Sequence, residues 1–408
     1  MQATRSVPAW PVALAPFAFA VLGPFLPLLI VFAGTLPPTA PHPSRTLALF
    51  LGCAAAIATL VSLAFLFLRG VRKFPKALWL PLCAILVSQL IALAWAIEPK
   101  VGIFSLVTSL GGCVVLVASI EVLGDKSTRH AFLACYLISG AIAALIACVL
   151  SVMKLPPAMF AYEHGRASGT FLQPNELAGY LLFLIPIALA QVASPGWLRA
   201  IGVGAAAAGV LGLLLSVSRA AIISLMLGLV FFVQKFGRRP LLAYVVAAVV
   251  GLALLATVFR DVAHDPSENA SRLAVWAGAL RVAQRFALTG VGPFGFHLVY
   301  PYFRLPEYSI NEVHAHNLPL HILIEYGVLG LAATTWFTIV AIAECAKVKR
   351  SIDPADRERT LLFAALVCGF VASAAQNAID VVTTFLLIVA WPMLGLTLAL
   401  GKSMERVQ

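Results

Sequence analysis

Apolar runs of roughly 20 residues recur along the whole chain, and each is long enough to cross the hydrocarbon core of a bilayer as a helix. No other feature limits the fold as tightly. Only 11% of residues are charged and 61% are hydrophobic, with a mean hydropathy of +0.97. Ordinary globular chains carry about a quarter charged residues, so a soluble domain is excluded. The expected fold class is an all-α polytopic membrane protein, with residues 1–408 forming one integral membrane domain. The pattern predicts twelve spans, over 10–33, 46–68, 77–97, 101–123, 131–153, 177–194, 200–217, 220–234, 240–259, 317–346, 360–382 and 384–401. The first lacks a small-residue cleavage site behind a short apolar core and reads as retained.

The seven cysteines (53, 83, 113, 135, 148, 345 and 368) all fall inside predicted spans. They suggest small packing residues, not a disulfide framework or a thiolate metal site. The net charge of +11 invites a nucleic-acid reading, but the arrangement argues against one. With twelve spans and an inside N-terminus, eighteen of the 28 Lys and Arg residues fall on one side and ten on the other. The eighteen crowd short loops such as "RGVRKFPK" (69–76), "KFGRRP" (235–240) and "KVKRSIDPADRER" (347–359). That is the positive-inside bias, and it places both termini in the cytoplasm. No nucleic acid is expected as a partner.

Polar residues are spent on the other face. One outer loop covers 154–176, one is only the turn "SVSRAA" (216–221), and the longest covers 260–316. Within the longest, "SRLAVWAGALRVAQRFA" has helical spacing, with Leu273, Val275, Trp276, Leu280, Val282 and Phe286 as its apolar stripe and Ser271 as its N-cap. An amphipathic helix on or near the outer leaflet is expected there, between spans 9 and 10. The following "TGVGPFGF" is no phosphate loop, since it lacks the spacing and the Lys.

Arg219 lies in "LLLSVSRAAIISLML", almost without polar cover. A cation there is costly unless paired or wet, which makes it a functional candidate, with an interfacial snorkelling Arg as the competing reading. Arg166, Arg272 and Arg285 also fall on the outer face, and each taken alone could be a solvated or headgroup-facing charge. Together they suggest an anion site, because guanidinium forks match phosphate oxygens.

His316, Asn317, Gly327 and Gly330 form the pattern H-N-x9-G-x-x-G. His316 stands at the start of a long span and is expected to face the outer loop, while the glycines allow close helix approach. A neutral imidazole suits removal of a proton from an attacking hydroxyl. An interfacial His without a chemical role is the plainer alternative. His314, His316 and His321 as metal ligands fit no standard zinc spacing, and no carboxylate follows at helical offset before Glu325. No metal and no cofactor are expected.

At these residues the chain resembles the O-antigen ligase family, whose superfamily includes Wzy-type O-antigen polymerases and bacterial protein O-oligosaccharyltransferases. "SGTFLQPNELAGYL" (168–181), "LLLSVSRAAIIS" (213–224) and "SRLAVWAGALRVAQRFALTGVGPFGF" look like further family blocks, so the resemblance covers roughly 160–335. It implies a GT-C-like glycosyltransferase of the bacterial inner membrane. The donor would be a glycan on undecaprenyl pyrophosphate, the acceptor lipid A–core oligosaccharide, and transfer would occur at the periplasmic face, with inversion and without a metal. The family His carries over to His316, and its essential arginines to Arg219 and Arg272. Arg166, Asn175, Arg285, His314 and Asn317 are added as candidate substrate-binding residues. A polymerase remains the rival reading, and a secondary transporter the rival from another class. Only seven residues follow the last predicted span, which counts against a protein-reading extension.

Overall fold

The computed structural model describes residues 23–25 and 56–401, apart from 58, 65, 68–69, 154–160, 163–165, 172 and 259–266. Predicted span 10–33 therefore lies outside the described residues except for a short turn at Gly23–Phe25. Span 46–68 is seen only from residue 56, where the described positions are helical.

The ten later spans all coincide with helices. They are α1 (Trp79–Leu93), α2 (Pro99–Val122), α3 (Lys126–Met153), α4 (Pro174–Ala193), α5 (Leu198–Leu215), α6 (Arg219–Val233) and α7 (Arg238–Val258), and then α10 (Leu318–Ser351), α11 (Arg357–Asn377) and α12 (Thr383–Ala399). Two further helices occupy the long loop, α8 (Ser267–Phe286) and the single turn α9 (Phe296–Val299). Eight described helices are long and apolar enough to cross a membrane. The described strands are a two-residue antiparallel pair, β1 (Ala161–Tyr162) and β2 (Arg166–Ala167).

Helix α4 is the hub. Its most apolar window is 78% buried, against 22% for α10. A helix apolar all round belongs inside a bundle, and α4 packs on α5, α6 and α11. Between lipid-embedded helices the hydrophobic effect gives no net drive, so close van der Waals packing over small residues must hold them together. A Cβ on Gly228 of α6 would stand 2.5 Å from the Cys368 carbonyl of α11, and one on Gly202 of α5 would stand 2.9 Å from the Ala188 carbonyl of α4.

Two expectations need correction. The long-loop helix begins at Ser267, so Ser271 lies inside it and is not its N-cap. Its packed face is Val275, Ala279, Val282 and Ala283, whereas Leu273 and Leu280 are exposed. The packed face lies against α10 through Ile324.

The second correction concerns α10, which is not a continuous rod. Gly327 has φ 66° and ψ −172°, a conformation open in practice only to glycine, and the helix breaks there. The carbonyls freed by the break accept hydrogen bonds from the loop after α8, with Val291 N–H on Ile324 (2.8 Å) and Gly292 N–H on Glu325 (3.0 Å). Val328 N–H donates to the Ala287 carbonyl at 2.7 Å. Irregular backbone within a membrane helix survives only where protein satisfies it, and "LTGVGPF" does so here. The first glycine of the His motif thus makes a break, not a helix contact. The second, Gly330, faces back across it, where a Cβ would meet the Tyr326 side chain at 2.2 Å.

Candidate active site

The sequence "VHAHNLP" turns the chain from loop to helix in four residues. His316 adopts φ +47°, the left-handed region, which is uncommon outside glycine and tends to collect at functional sites. Asn317 then caps α10, its Oδ1 accepting from Leu320 N–H at 2.9 Å, while its Nδ2 donates to the Ala378 carbonyl at 2.9 Å. Trp276 of α8 donates Nε1–H to the His316 carbonyl at 3.2 Å. Loop helix, α10 and the end of α11 are therefore all tied to this one turn.

The His316 ring lies between two carboxylates. Nδ1 is 3.1 Å from Asp380 Oδ1, and Nε2 is 3.3 Å from Glu312 Oε2. Burial disfavours charge on this ring, but hydrogen bonds and attraction from Asp380 and Glu312 outweigh it and push the pKa up to about 9. Asp380 is held down at about 2; burial opposes this, and the His316 hydrogen bond overcomes it. Glu312 moves down for the same reason, with help from the Tyr308 hydroxyl that donates to it. Both carboxylates thus favour the protonated ring, in which each nitrogen donates to one of them. His314, whose ring centroid is 4.3 Å from that of His316, goes the other way, to about 4, because it is buried and sits beside a positive ring.

Asp380 extends the network across the bundle. Asn175, in the first turn of α4, donates Nδ2–H to Asp380 Oδ2 at 2.8 Å. Its Oδ1 accepts from Arg166 Nη2 and from Ser218 Oγ, each at 3.0 Å. The buried Arg166 also donates Nε–H to the Ser216 carbonyl at 3.0 Å. Arg166 and Asn175 thus join the site through Asp380: Asn175 bonds it directly, and Arg166 bonds Asn175.

Arg219 is the first residue of α6, immediately after Ser218, so the positive helix terminus and its guanidinium belong to the same end of the bundle. Arg272, in the first half of α8, is near enough to act electrostatically on both His314 and Asp380. Arg285 is exposed at the far end of α8 and has no described link to the cluster.

A cavity of about 370 Å³ opens beside the cluster. Its lining includes His314 and Val381, near His316 and Asp380 in the chain, and residues of α1, α2, α10 and α12, among them Ser105, Tyr326 and Trp391. Its wall is mostly apolar, so it suits the body of a lipid better than a sugar.

Residues 204–335 match the family described as O-antigen ligase. This stretch is similar to the O-antigen ligase family. Arg219, Arg272, Arg285, His314, His316 and Asn317 fall within the matched O-antigen ligase stretch, and Arg166, Asn175 and Asp380 are brought to it by folding. No curated protein matches the chain.

Glu312 and Asp380 were not singled out as site residues from sequence. Asp380 follows α11 in "NAIDVV", 64 residues from His316, and a lone acid near the end of the predicted span 360–382 is the available signal. Glu312 is four residues before His316 in a non-helical loop, where no periodic rule pairs them.

Proposed function

We propose that the protein is an O-antigen ligase, an inner-membrane glycosyltransferase that moves a glycan from undecaprenyl pyrophosphate to a hydroxyl of lipid A–core oligosaccharide at the periplasmic face. The observation that carries this reading is the imidazole of His316 between two carboxylates, beside Arg272 and above an apolar cavity. A lipid-linked donor needs its apolar body held in the membrane and its anionic head at the polar end, and the site has both features.

The acceptor oxygen attacks the anomeric carbon on the face opposite the pyrophosphate. The carbon–oxygen bond to pyrophosphate breaks with its electron pair, and the acceptor proton goes to His316 Nε2. For this, His316 must first lose its resting proton, and the acceptor hydroxyl must take the place of Glu312 at Nε2. Asp380 keeps Nδ1–H fixed throughout, which sets the tautomer and favours the imidazolium that forms. Pyrophosphate leaves as an anion, so the step calls for positive charge, not a general acid. Arg219 and Arg272 provide that charge as fixed groups in a partly dry site. Arg166 and Asn175 act as positioning residues behind Asp380.

Deletion of the gene tests the reading, with lipopolysaccharide resolved on a gel. The expected outcome is loss of the O-antigen ladder, with polymer left on the carrier lipid. A core that still carries one repeat unit would identify a polymerase instead. An unchanged ladder, together with glycolipid flux in proteoliposomes, would favour transport.

A further inference from the structure

His314, His316 and Asp380 each offer one ligand atom, and these atoms lie within 4.8 Å of one another. We propose that they form a site for a borderline-soft divalent cation, with Zn²⁺ as the type, and that occupancy switches the protein off.

Two imidazole nitrogens and one carboxylate oxygen, with a fourth position open, are a ligand set that zinc accepts. Magnesium and calcium prefer oxygen shells and are not favoured here. Bonds of about 2.0–2.1 Å in a tetrahedral site put ligand atoms roughly 3.3 Å apart. His316 Nδ1 and Asp380 Oδ1, at 3.1 Å, already stand at that spacing. His314 needs to close by about 1.5 Å at most, a shift that a small side-chain rotation supplies.

The groups around the ligands are those a zinc site uses. Metal-bound histidines almost always hand their second ring N–H to a carboxylate or carbonyl, which fixes the ring. Glu312 occupies that position on His316, 3.3 Å from Nε2 on the side away from Asp380. Asn175 holds the outer oxygen of Asp380 at 2.8 Å, and the Val381 N–H holds the inner one at 2.8 Å, which fixes the carboxylate while a second lone pair of the inner oxygen faces His316. The two carboxylates of Glu312 and Asp380 supply negative charge to offset the ion, against the nearby guanidinium of Arg272. Asp380 lies 64 residues from His316, so only the folded chain brings the three ligands together.

With the Nδ1 lone pair on the metal and Nε2–H on Glu312, the imidazole has no lone pair for a substrate proton. This half of the proposal rests on the base role given to His316 above; the binding half does not.

The experiment uses full-length protein in detergent, stripped with chelator, then titrated with Zn²⁺ by calorimetry and with Co²⁺ by absorption spectroscopy. One Zn²⁺ per chain is expected, and a Co²⁺ spectrum of tetrahedral or five-coordinate type. Asn175→Ala and Glu312→Gln should weaken binding by roughly 10–100-fold, as lost supporting groups do at metal sites. His314→Ala with Asp380→Asn should abolish it, and His130→Ala, far from the cluster, should leave it unchanged. The Co²⁺ spectrum of the unaltered protein needs no variant to fold. An octahedral, water-like Co²⁺ spectrum, no binding, or binding that survives the double variant would overturn the site. Glycan transfer should fall at least tenfold with saturating Zn²⁺ and recover on adding EDTA. Stoichiometric binding with transfer untouched would overturn the switch. Binding intact in a protein with no transfer under any condition would leave the site standing and count against the ligase reading.

Discussion

At His316 the main chain and the side chain are constrained together. The left-handed backbone, with the Asn317 cap directly behind it, aims the ring at Asp380 and Glu312 and away from the α10 axis. Two consequences follow at this scale. His316→Ala should cut transfer by about 10²–10⁴-fold, the usual cost of losing a general base, while the protein still assembles in the membrane. Transfer within a few-fold of the unaltered protein would remove the base role. The pH dependence is sharper. With the pKa raised to about 9, the productive neutral ring is scarce at pH 7 and its share grows as pH rises. The kcat/KM profile, which reports the free enzyme, should therefore climb between pH 7 and about 9. Glu312→Gln removes one of the two carboxylates, so the limb should move down toward the ordinary imidazole value of about 6.5. A limb in the same place in both proteins would mean that Glu312 does not set the proton affinity of His316.

The arginines allow a separate prediction. If Arg272 and Arg219 face the donor pyrophosphate, Lys keeps the charge and loses the planar fork, so Arg→Lys should retain only part of the activity and Arg→Ala almost none. Carrier binding, measured with undecaprenyl pyrophosphate and no acceptor, should weaken in parallel. Arg238, at the opposite end of the bundle, is the control. Normal carrier affinity in an inactive Arg272→Ala protein would assign that residue a structural role.

At the scale of elements, the break in α10 makes the site rigid. Gly327 releases two carbonyls, and the loop after α8 takes them up, so the helix that carries Arg272 is pinned to the helix that carries His316 at its head. A Cβ on Gly327 would stand 2.6 Å from the Leu288 carbonyl, and one on Gly290 would stand 2.4 Å from the Glu325 carbonyl. Gly327→Ala faces both that clash and a backbone strain of order 1–3 kcal/mol. The expected result is a lower unfolding temperature in detergent and a transfer rate reduced more than KM, since the two halves of the site lose register. An Ala variant with normal stability and rate would show that the break is not needed. The sequence made these elements legible unevenly. Each membrane helix came through because 20 apolar residues have few alternatives. The break did not, because Gly-x-x-G within a span reads equally as a packing motif, and the N–H donors of Val291 and Gly292 that satisfy the freed carbonyls belong to a loop more than 30 residues earlier. The start of α8 lies four residues before Ser271: a serine signals a cap by propensity alone, and propensity does not fix where the helix begins. Arg166, Asn175 and His316 were found as separate candidates. What joins them, Asp380, is remote in sequence and took the fold to place.

For the whole molecule, the two ends of the bundle differ in the chemistry they carry. The His316 network lies where α4, α6 and α10 begin and α11 ends. The other end gathers the basic loops. Glu358, at the start of α11, binds His130 (2.7 Å) and Lys126 (3.2 Å) of α3, with the buried Arg129 at 3.5 Å, and Glu121, at the end of α2, accepts from the Lys73 N–H at 2.6 Å. These acids partly neutralise loops that would otherwise repel one another, and an excess of Lys and Arg on short loops generally retains them in the cytoplasm during insertion. Reporter fusions within 69–76, 235–240 and 347–359 should therefore read as cytoplasmic, and fusions within 154–176 and 260–316 as periplasmic. The last assignment matters most, because 260–316 carries Arg272, Glu312 and His316. The proposed donor is a lipid whose glycan is displayed on the outer leaflet, so a cytoplasmic reading for this loop would set the site facing the wrong compartment and remove the ligase proposal with it. Moving charge should move the topology: replacing Lys347, Lys349 and Arg350 together by Gln weakens the signal on the loop next to α10. The fusion at 347–359 should then report a mixed orientation, while one at 235–240 stays cytoplasmic. A fully unchanged reading at 347–359 would mean that neighbouring helices, not these three charges, fix the orientation of α10.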